Sequence, residues 1–351
     1  MTATASALEN LSQRRLRASA QINDRASLLD RGLTDTREDV QMLGSLGLIG
    51  LGLDDQPLGE IAAVIEDVAA ESLSAGFSIW AHRMALEFVN RSPNAVREKF
   101  GPGLRDGSTI GVTAMSAGLK HAAGLGEVPT VATTIPGGIE ISGPIRWASN
   151  LFDGAIIVVP VRDLDGSTYV VAIESNAPGI HINAAPELLA LNSTASSSLA
   201  FDRAFVPAEQ IISTDLIGFV QRIKPAFLLL QTAFCSGIAR TSLTETKKHL
   251  DGLNSGFSEV HTQLADDLES SRERLYRFAQ AIDEVTIDKV IELRLDASVL
   301  ATTATRLEAT VRGGAGYAVK SATSRRFREA AFLPIQSPSE GQLRWELAHS
   351  S

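Results

Sequence analysis

The sequence predicts an α+β multidomain protein in which a central, barrel-like β domain separates an N-terminal helical domain from a C-terminal helical bundle. Two observations carry this. Apolar residues recur at helical spacing through the first hundred residues and again from about Asp215. Between those blocks, short β-branched runs are broken repeatedly by Gly, Pro, Asp and Asn, which is the texture of an all-β segment. The boundaries fall at 1–108, 109–214 and 215–351, and a chain of 351 residues can bury more than one core.

In the first block, Ser6 to Asp30 and Asp35 to Leu46 are amphipathic, Ile61, Val64, Ile65 and Val68 share one helical face, and the pattern continues from Gly76 to Val89. Gly44 to Gly59 is a glycine-rich connection punctuated by Pro57. The stretch SPNAVREKFGPGLRDGS, with its two prolines and three glycines, reads as the domain boundary. The β block comprises TIGVTAM, VPTVATTI, GIEISG, AIIVVPV, TYVVAIE and GIHINA, and closes on an alternating run from Ser196 to Val206 before Pro207. Helical character then holds from Asp215 to Thr310, with pauses at Gly252 to Gly256 and near Asp283, and stops at Gly313, Gly314 and Gly316. A short helix follows from Ser321 to Ala331, and Pro334 and Pro338 bracket a loop before the last turns.

Composition sets limits on function. Apolar residues are 44% and charged residues 21%, as in ordinary globular proteins, and the net charge is −9. That balance argues against a nucleic-acid or anionic-membrane surface, both of which need clustered cations. No stretch reaches the about 18 apolar residues of a membrane span, and the opening residues lack a signal-type apolar core, so a cytoplasmic location is expected. The single cysteine, Cys235, excludes an internal disulfide and sits in an apolar run as a small buried hydrophobe. No metal-binding spacing occurs.

A dinucleotide fingerprint fails at both Gly50-Leu51-Gly52 and Gly314-Ala315-Gly316, since neither has the third glycine or a preceding strand. Walker, HExxH, GxSxG and EF-hand patterns are also absent, so any cofactor is held by another architecture. Five segments, in order, are GLIGLGLDDQPLGEIAAVIEDVAAESLSAGFSIWAH, GIEISGPIRWASNLFDGAIIVVPVRD, SSSLAFDRAFVPAEQII, SGIARTSLTETKKHL and RGGAGYAVKSATSRRFREAAFLPIQ. Together, along nearly the whole chain, they resemble the acyl-CoA dehydrogenase superfamily.

That resemblance implies a flavin bound between the β domain and the C-terminal helices, as FAD or alternatively FMN. The family's Trp-Ile-Thr segment, which lines the ring and offers a hydroxyl to flavin N5, maps to Trp147, Ala148 and Ser149. The plainer alternative there is a buried tryptophan beside a turn serine. The flavin-contacting Thr-Glu-Pro-x-x-Gly-Ser-Asp strand falls on Thr113 to Lys120, making Thr113 and Met115 cofactor candidates but losing the Glu, Pro, Ser and Asp. Gly313 and Gly314 match a glycine pair that approaches the dinucleotide of a neighbouring subunit, which implies a homo-oligomer, dimer or tetramer; a helix C-cap is the other reading. The family's arginine before Phe-Gly has no counterpart, leaving Lys247 or Lys248 as weaker substitutes.

Acyl-CoA dehydrogenation needs a carboxylate to take the α-proton. Counted from Arg328-Glu329-Ala330, the family's Tyr-Glu-Gly-Thr loop falls on Gln336 to Ser339, so Ser337 stands at the glutamate position. The family's second site for that base falls on Phe227, and Glu340 comes three residues late, as a relocated base or a solvated cap. The loss points to the branch resembling dibenzothiophene monooxygenase, which uses reduced flavin, oxygen and a flavin reductase partner. His82 resembles that branch's first histidine, with a packed, satisfied histidine as the alternative, and Gln336 stands where its second histidine would be. The expected ligand is a small molecule, with acyl-CoA as one candidate, and the alternatives to a monooxygenase are a dehydrogenase with a relocated base or a non-catalytic scaffold.

Overall fold

The computed structural model describes residues 9–349; the beginning of the helix expected from Ser6 lies outside them. Five helices form the first block: α1 (Leu11–Asp30), α2 (Arg37–Ser45), α3 (Gly59–Glu71), α4 (Leu73–Asn90) and α5 (Asn94–Asp106). A reciprocal capping box starts α1, with the Asn10 side chain accepting from Gln13 N at 2.9 Å and the Gln13 side chain accepting from Asn10 N at 3.0 Å. The helix α5 corrects the sequence reading, which took this stretch for a boundary. Val96, Phe100 and Leu104 repeat at i, i+4 and i+8 and are buried, so a continuous apolar stripe outweighs Pro102 and the flanking glycines. Gly107 then ends α5 at φ +74°, where a Cβ would lie 2.7 Å from the Val40 carbonyl oxygen.

The central block is an eight-stranded mixed sheet. Its strands are β1 (Gly111–Thr113), β2 (Val131–Ile135), β3 (Gly138–Ala148), β4 (Ile156–Asp163), β5 (Thr168–Glu174), β6 (Ile180–Ile182), β7 (Ser197–Pro207) and β8 (Ile211–Ser213), with α6 (Ser116–Ala122) after β1. The order is β6-β7-β3-β2-β4-β5-β8, and β1 pairs with β4. Only the β1–β4 and β2–β4 pairs are parallel. The path is open, with no described pairing between its end strands, so the sheet is not a closed barrel. TIGVTAM, expected wholly as strand, leaves the sheet at Thr113 and turns into α6.

The third block holds α7 (Leu216–Lys247), α8 (Ser258–Gln280), α9 (Ile287–Tyr317), α10 (Ala322–Ala330) and α11 (Glu340–His349). Both expected pauses are short 3₁₀ turns, at Gly252–Phe257 and Ile282–Glu284. By length and apolar character α7 would cross a membrane, but 89% of its most apolar window is buried inside the protein. It lies against α3 so closely that a Cβ on Gly237 would sit 2.2 Å from the Glu66 carbonyl oxygen. The Glu66 carboxylate ties α3 to both α7 and α8, accepting from Ser236 Oγ of α7 at 2.5 Å and from Arg272 Nε at 2.7 Å and Tyr276 Oη at 2.5 Å on α8. Cys235 is fully buried beside this contact, and burial raises its thiol pKa.

Candidate functional site

Between α4, the end of β3, and the segment from α10 into the following loop lies a cavity of about 540 Å³, within the range of small-ligand sites. Its apolar wall is aromatic. Phe77 and Trp80 stack at 5.6 Å, Phe227 meets Trp80 edge-on at 4.7 Å, and Phe332 meets Phe77 edge-on at 4.9 Å. The Trp80 indole donates to the Phe227 carbonyl oxygen at 3.2 Å, which fixes the ring against α7. Thr113, Met115, Trp147, Ser149, Gln336 and Ser337 all line this cavity, as does Phe227.

A bulge brings Trp147 there. The β3–β7 register shifts between Ile145 and Ala148, and Arg146 and Trp147 are consecutively exposed where a regular strand would alternate. Trp147 is 58% exposed, so it is not the buried tryptophan of the plainer alternative. Asn150, at φ +63°, clamps the end of this segment. Its Nδ2 donates to the carbonyl oxygens of Ser78 at 2.9 Å and Gly111 at 3.2 Å, and its Oδ1 accepts from Ser78 Oγ at 2.7 Å. Sequence reasoning passed over Asn150; the signal was an Asn directly after the Trp-Ala-Ser run, a residue type that tolerates the left-handed conformation.

Hydroxyl chemistry tests how a flavin fits. The Thr113 hydroxyl is buried without a partner, as a group reserved for a ligand would be. Ser149 is differently placed. Thr194 Oγ1 donates to the Leu191 carbonyl oxygen at 2.8 Å, so Ser196 Oγ donates to Thr194 at 2.7 Å and Ser149 Oγ to Ser196 at 2.6 Å. The Ser149 proton is thereby committed, and the hydroxyl faces the cavity as an acceptor. The exposed indole and free Thr113 hydroxyl fit a flavin, whereas Ser149 donates to N5 only if this relay gives way.

His82 lies outside the cavity, although Trp80 and Ala81 line it. The ring is fully buried in α4; Gly111 N donates to Nδ1 at 2.9 Å, and Nε2 lies 2.7 Å from the Leu104 carbonyl oxygen. Because Nδ1 accepts, Nε2 carries the proton and donates. Burial lowers the pKa from 6.5 to about 4, so the ring is neutral near pH 7 and both nitrogens are occupied. The expected catalytic histidine is a packed one that joins α4 to α5 and β1.

Gly313 and Gly314 also lie away from the cavity. Gly313 breaks α9 at φ +54°, ψ −139°, the helix running on to Tyr317, and a Cβ at either glycine would meet nothing within 4 Å. Neither is therefore needed for a close approach within this chain. Lys248, one substitute for the lost arginine, pairs with Glu245 at 2.6 Å. Among the described residues, no aspartate, glutamate or histidine lines the cavity, and its charged members are Lys120 and Arg328. Arg328 is held by both Asp30 carboxylate oxygens, at 2.8 and 2.7 Å. Glu340 starts α11 and accepts from Arg344 at 2.8 Å, as a solvated cap does.

No family model matches the chain. It is 25% identical over 344 residues to a benzylmalonyl-CoA dehydrogenase of Aromatoleum aromaticum, covering 90% of this chain and 89% of that protein. Among solved structures, butyryl-CoA dehydrogenase from Megasphaera elsdenii superposes with a TM-score of 0.84 at 18% identity, covering 97% of this chain and 98% of the other. PigA with FAD and proline superposes with a TM-score of 0.84 at 17% identity, covering 97% of each chain.

Proposed function

We infer that this chain, a member of the acyl-CoA dehydrogenase superfamily, is a flavin-dependent oxidoreductase that acts on a small substrate without the family's carboxylate base. One observation carries the reading. The two positions at which the family keeps its base, here Ser337 and Phe227, both face the cavity, and no described carboxylate or histidine lines it. A serine hydroxyl with no base beside it does not remove a carbon-bound proton.

The cofactor is FAD, with FMN as the alternative; Thr113 and Trp147 would hold it, and a similar fold is described with FAD. When bound, a flavin supplies a two-electron carrier that works with organic substrates or with oxygen. The chain's own contribution is an aromatic wall that excludes water and a set of neutral hydroxyl and amide groups that orient the substrate. Oxygen-dependent chemistry in the manner of a monooxygenase, fed by a flavin reductase, is the form of this reading that needs no carboxylate. In that form His82 takes no proton, and a homo-oligomer places Gly313 and Gly314 beside a neighbouring subunit.

The similarity to a benzylmalonyl-CoA dehydrogenase favours a second reading, a dehydrogenase with a relocated base. The buried carboxylate beside the lining residues is Glu329, next to Arg328 in the chain. Its Oε1 accepts from Ser74 Oγ at 3.0 Å, and burial raises its pKa, but it does not line the cavity. The test is to mix FAD-loaded protein anaerobically with a panel of acyl-CoA thioesters. The visible absorbance of the bound flavin is expected to persist. Bleaching by any thioester would select the second reading.

A further inference from the structure

Arg294 of α9 is 1% exposed and forms no ion pair with a described carboxylate. Its hydrogen-bond partners are all neutral. Nε donates to Gln231 Oε1 at 3.0 Å, and Nη2 donates to the Leu333 carbonyl oxygen at 3.1 Å and to Gln336 Oε1 at 3.3 Å. A guanidinium offers only donors, so it fixes the orientation of both amides. Gln231 then presents its Nε2 to the Ser337 carbonyl oxygen, at 3.0 Å. Gln336, itself 4% exposed, turns its Nε2 away from Arg294, where that group is buried with no partner; Ser337 Oγ is also buried with no partner.

Gln336 and Ser337 both line the cavity. At the place where the family keeps a proton-accepting carboxylate, this chain therefore holds two unspent donors, closed off from solvent at the edge of the cavity and backed by a buried cation. Of the two charged lining residues, Arg328 is already paired with Asp30, and Lys120 adds a further positive charge. A buried guanidinium without a counter-ion is costly to fold around, and an anion brought by a ligand offsets that cost. Two adjacent donors suit the two oxygens of a carboxylate.

We propose that this corner seats a carboxylate of the substrate, held by Gln336 Nε2 and Ser337 Oγ, with Arg294 as the positioning residue behind Gln336. The proposal rests on reading the cavity as the substrate site, and it makes the substrate a small organic acid. The carboxylate thus enters on the ligand and not on the protein.

The test is calorimetric titration of the purified protein, with and without prior FAD loading, using butyrate, benzoate and phenylacetate and the primary amide of each. At least one carboxylate is expected to bind about tenfold or more tightly than its amide, the usual margin of a charge-assisted hydrogen bond. Gln336→Glu is isosteric and can pair with Arg294; it is expected to keep or raise the thermal midpoint and to abolish the preference. Ser337→Ala, which leaves Arg294 untouched, is expected to weaken carboxylate binding about fivefold or more while sparing the amide. Equal binding of every acid and its amide would overturn the proposal, as would a preference that survives Gln336→Glu. FAD uptake without a carboxylate preference defeats this proposal alone, whereas a preference in protein that takes up no FAD defeats the oxidoreductase reading and leaves the corner standing.

Discussion

His82 shows how one residue type can carry opposite meanings. In the sequence it resembles a histidine that a flavin monooxygenase branch keeps, whereas in the fold its two ring nitrogens join three elements and never reach the cavity. The difference is measurable. Above pH 6.5 the ring is neutral in both the folded and unfolded chain, but below it the unfolded chain takes up a proton that the folded one refuses until about pH 4. The unfolded state binds more protons across that window, so stability falls as pH drops through it, by about 3 kcal/mol when complete. Asp39, raised to about 6 by burial despite Arg25, acts in the opposite sense over part of the range. The difference between wild type and His82→Gln in urea unfolding at successive pH values isolates the histidine. Parallel stability curves would show that His82 is not buried as a neutral base.

At the same scale, the residues of the cavity were more legible than their directions. Thr113, Met115, Trp147, Ser149, Gln336 and Ser337, singled out from segments far apart in the chain, all line one cavity. Hydrogen-bond direction was not readable. That Ser149 is an acceptor and Gln336 a donor follows from Thr194 and Arg294, which stand 45 and 42 residues away in sequence. No local pattern joins such partners.

Among elements, the helical blocks were legible wherever a long apolar period ran, including both interruptions between α7 and α9. The missed helix α5 shows why the rule fails in the other direction: proline and glycine weaken a helix locally, while Val96, Phe100 and Leu104 gain by being buried together. The bulge in β3 was equally hidden, since one extra residue leaves no mark in composition. The element that secures this bulged segment is the Asn150 clamp onto α4 and β1. Asn150→Ala removes three buried hydrogen bonds and places an alanine at positive φ. A loss of about 3 kcal/mol is expected in chemical denaturation. A change below about 1 kcal/mol would mean that the segment is held by its strand pairing alone.

On the scale of the whole molecule, the three blocks meet so that each contributes one wall of the cavity: α4 from the first, β1 and the β3 end from the second, α7 and the loop after α10 from the third. The block order was written in the sequence as two changes of period. The charge of the enclosed space was not, because it depends on which carboxylates are turned elsewhere. Glu329 goes to Ser74, Glu340 to Arg344 and Asp30 to Arg328, and the lining is left with cations, hydroxyls and amides. On the proposed reading, the fold offers this cavity to a flavin and places no described carboxylate in its lining. The visible absorption spectrum of the protein after incubation with FAD and removal of free cofactor tests this most directly. The account predicts a yellow protein carrying flavin in stoichiometric amount, and a colourless protein that retains none would contradict it.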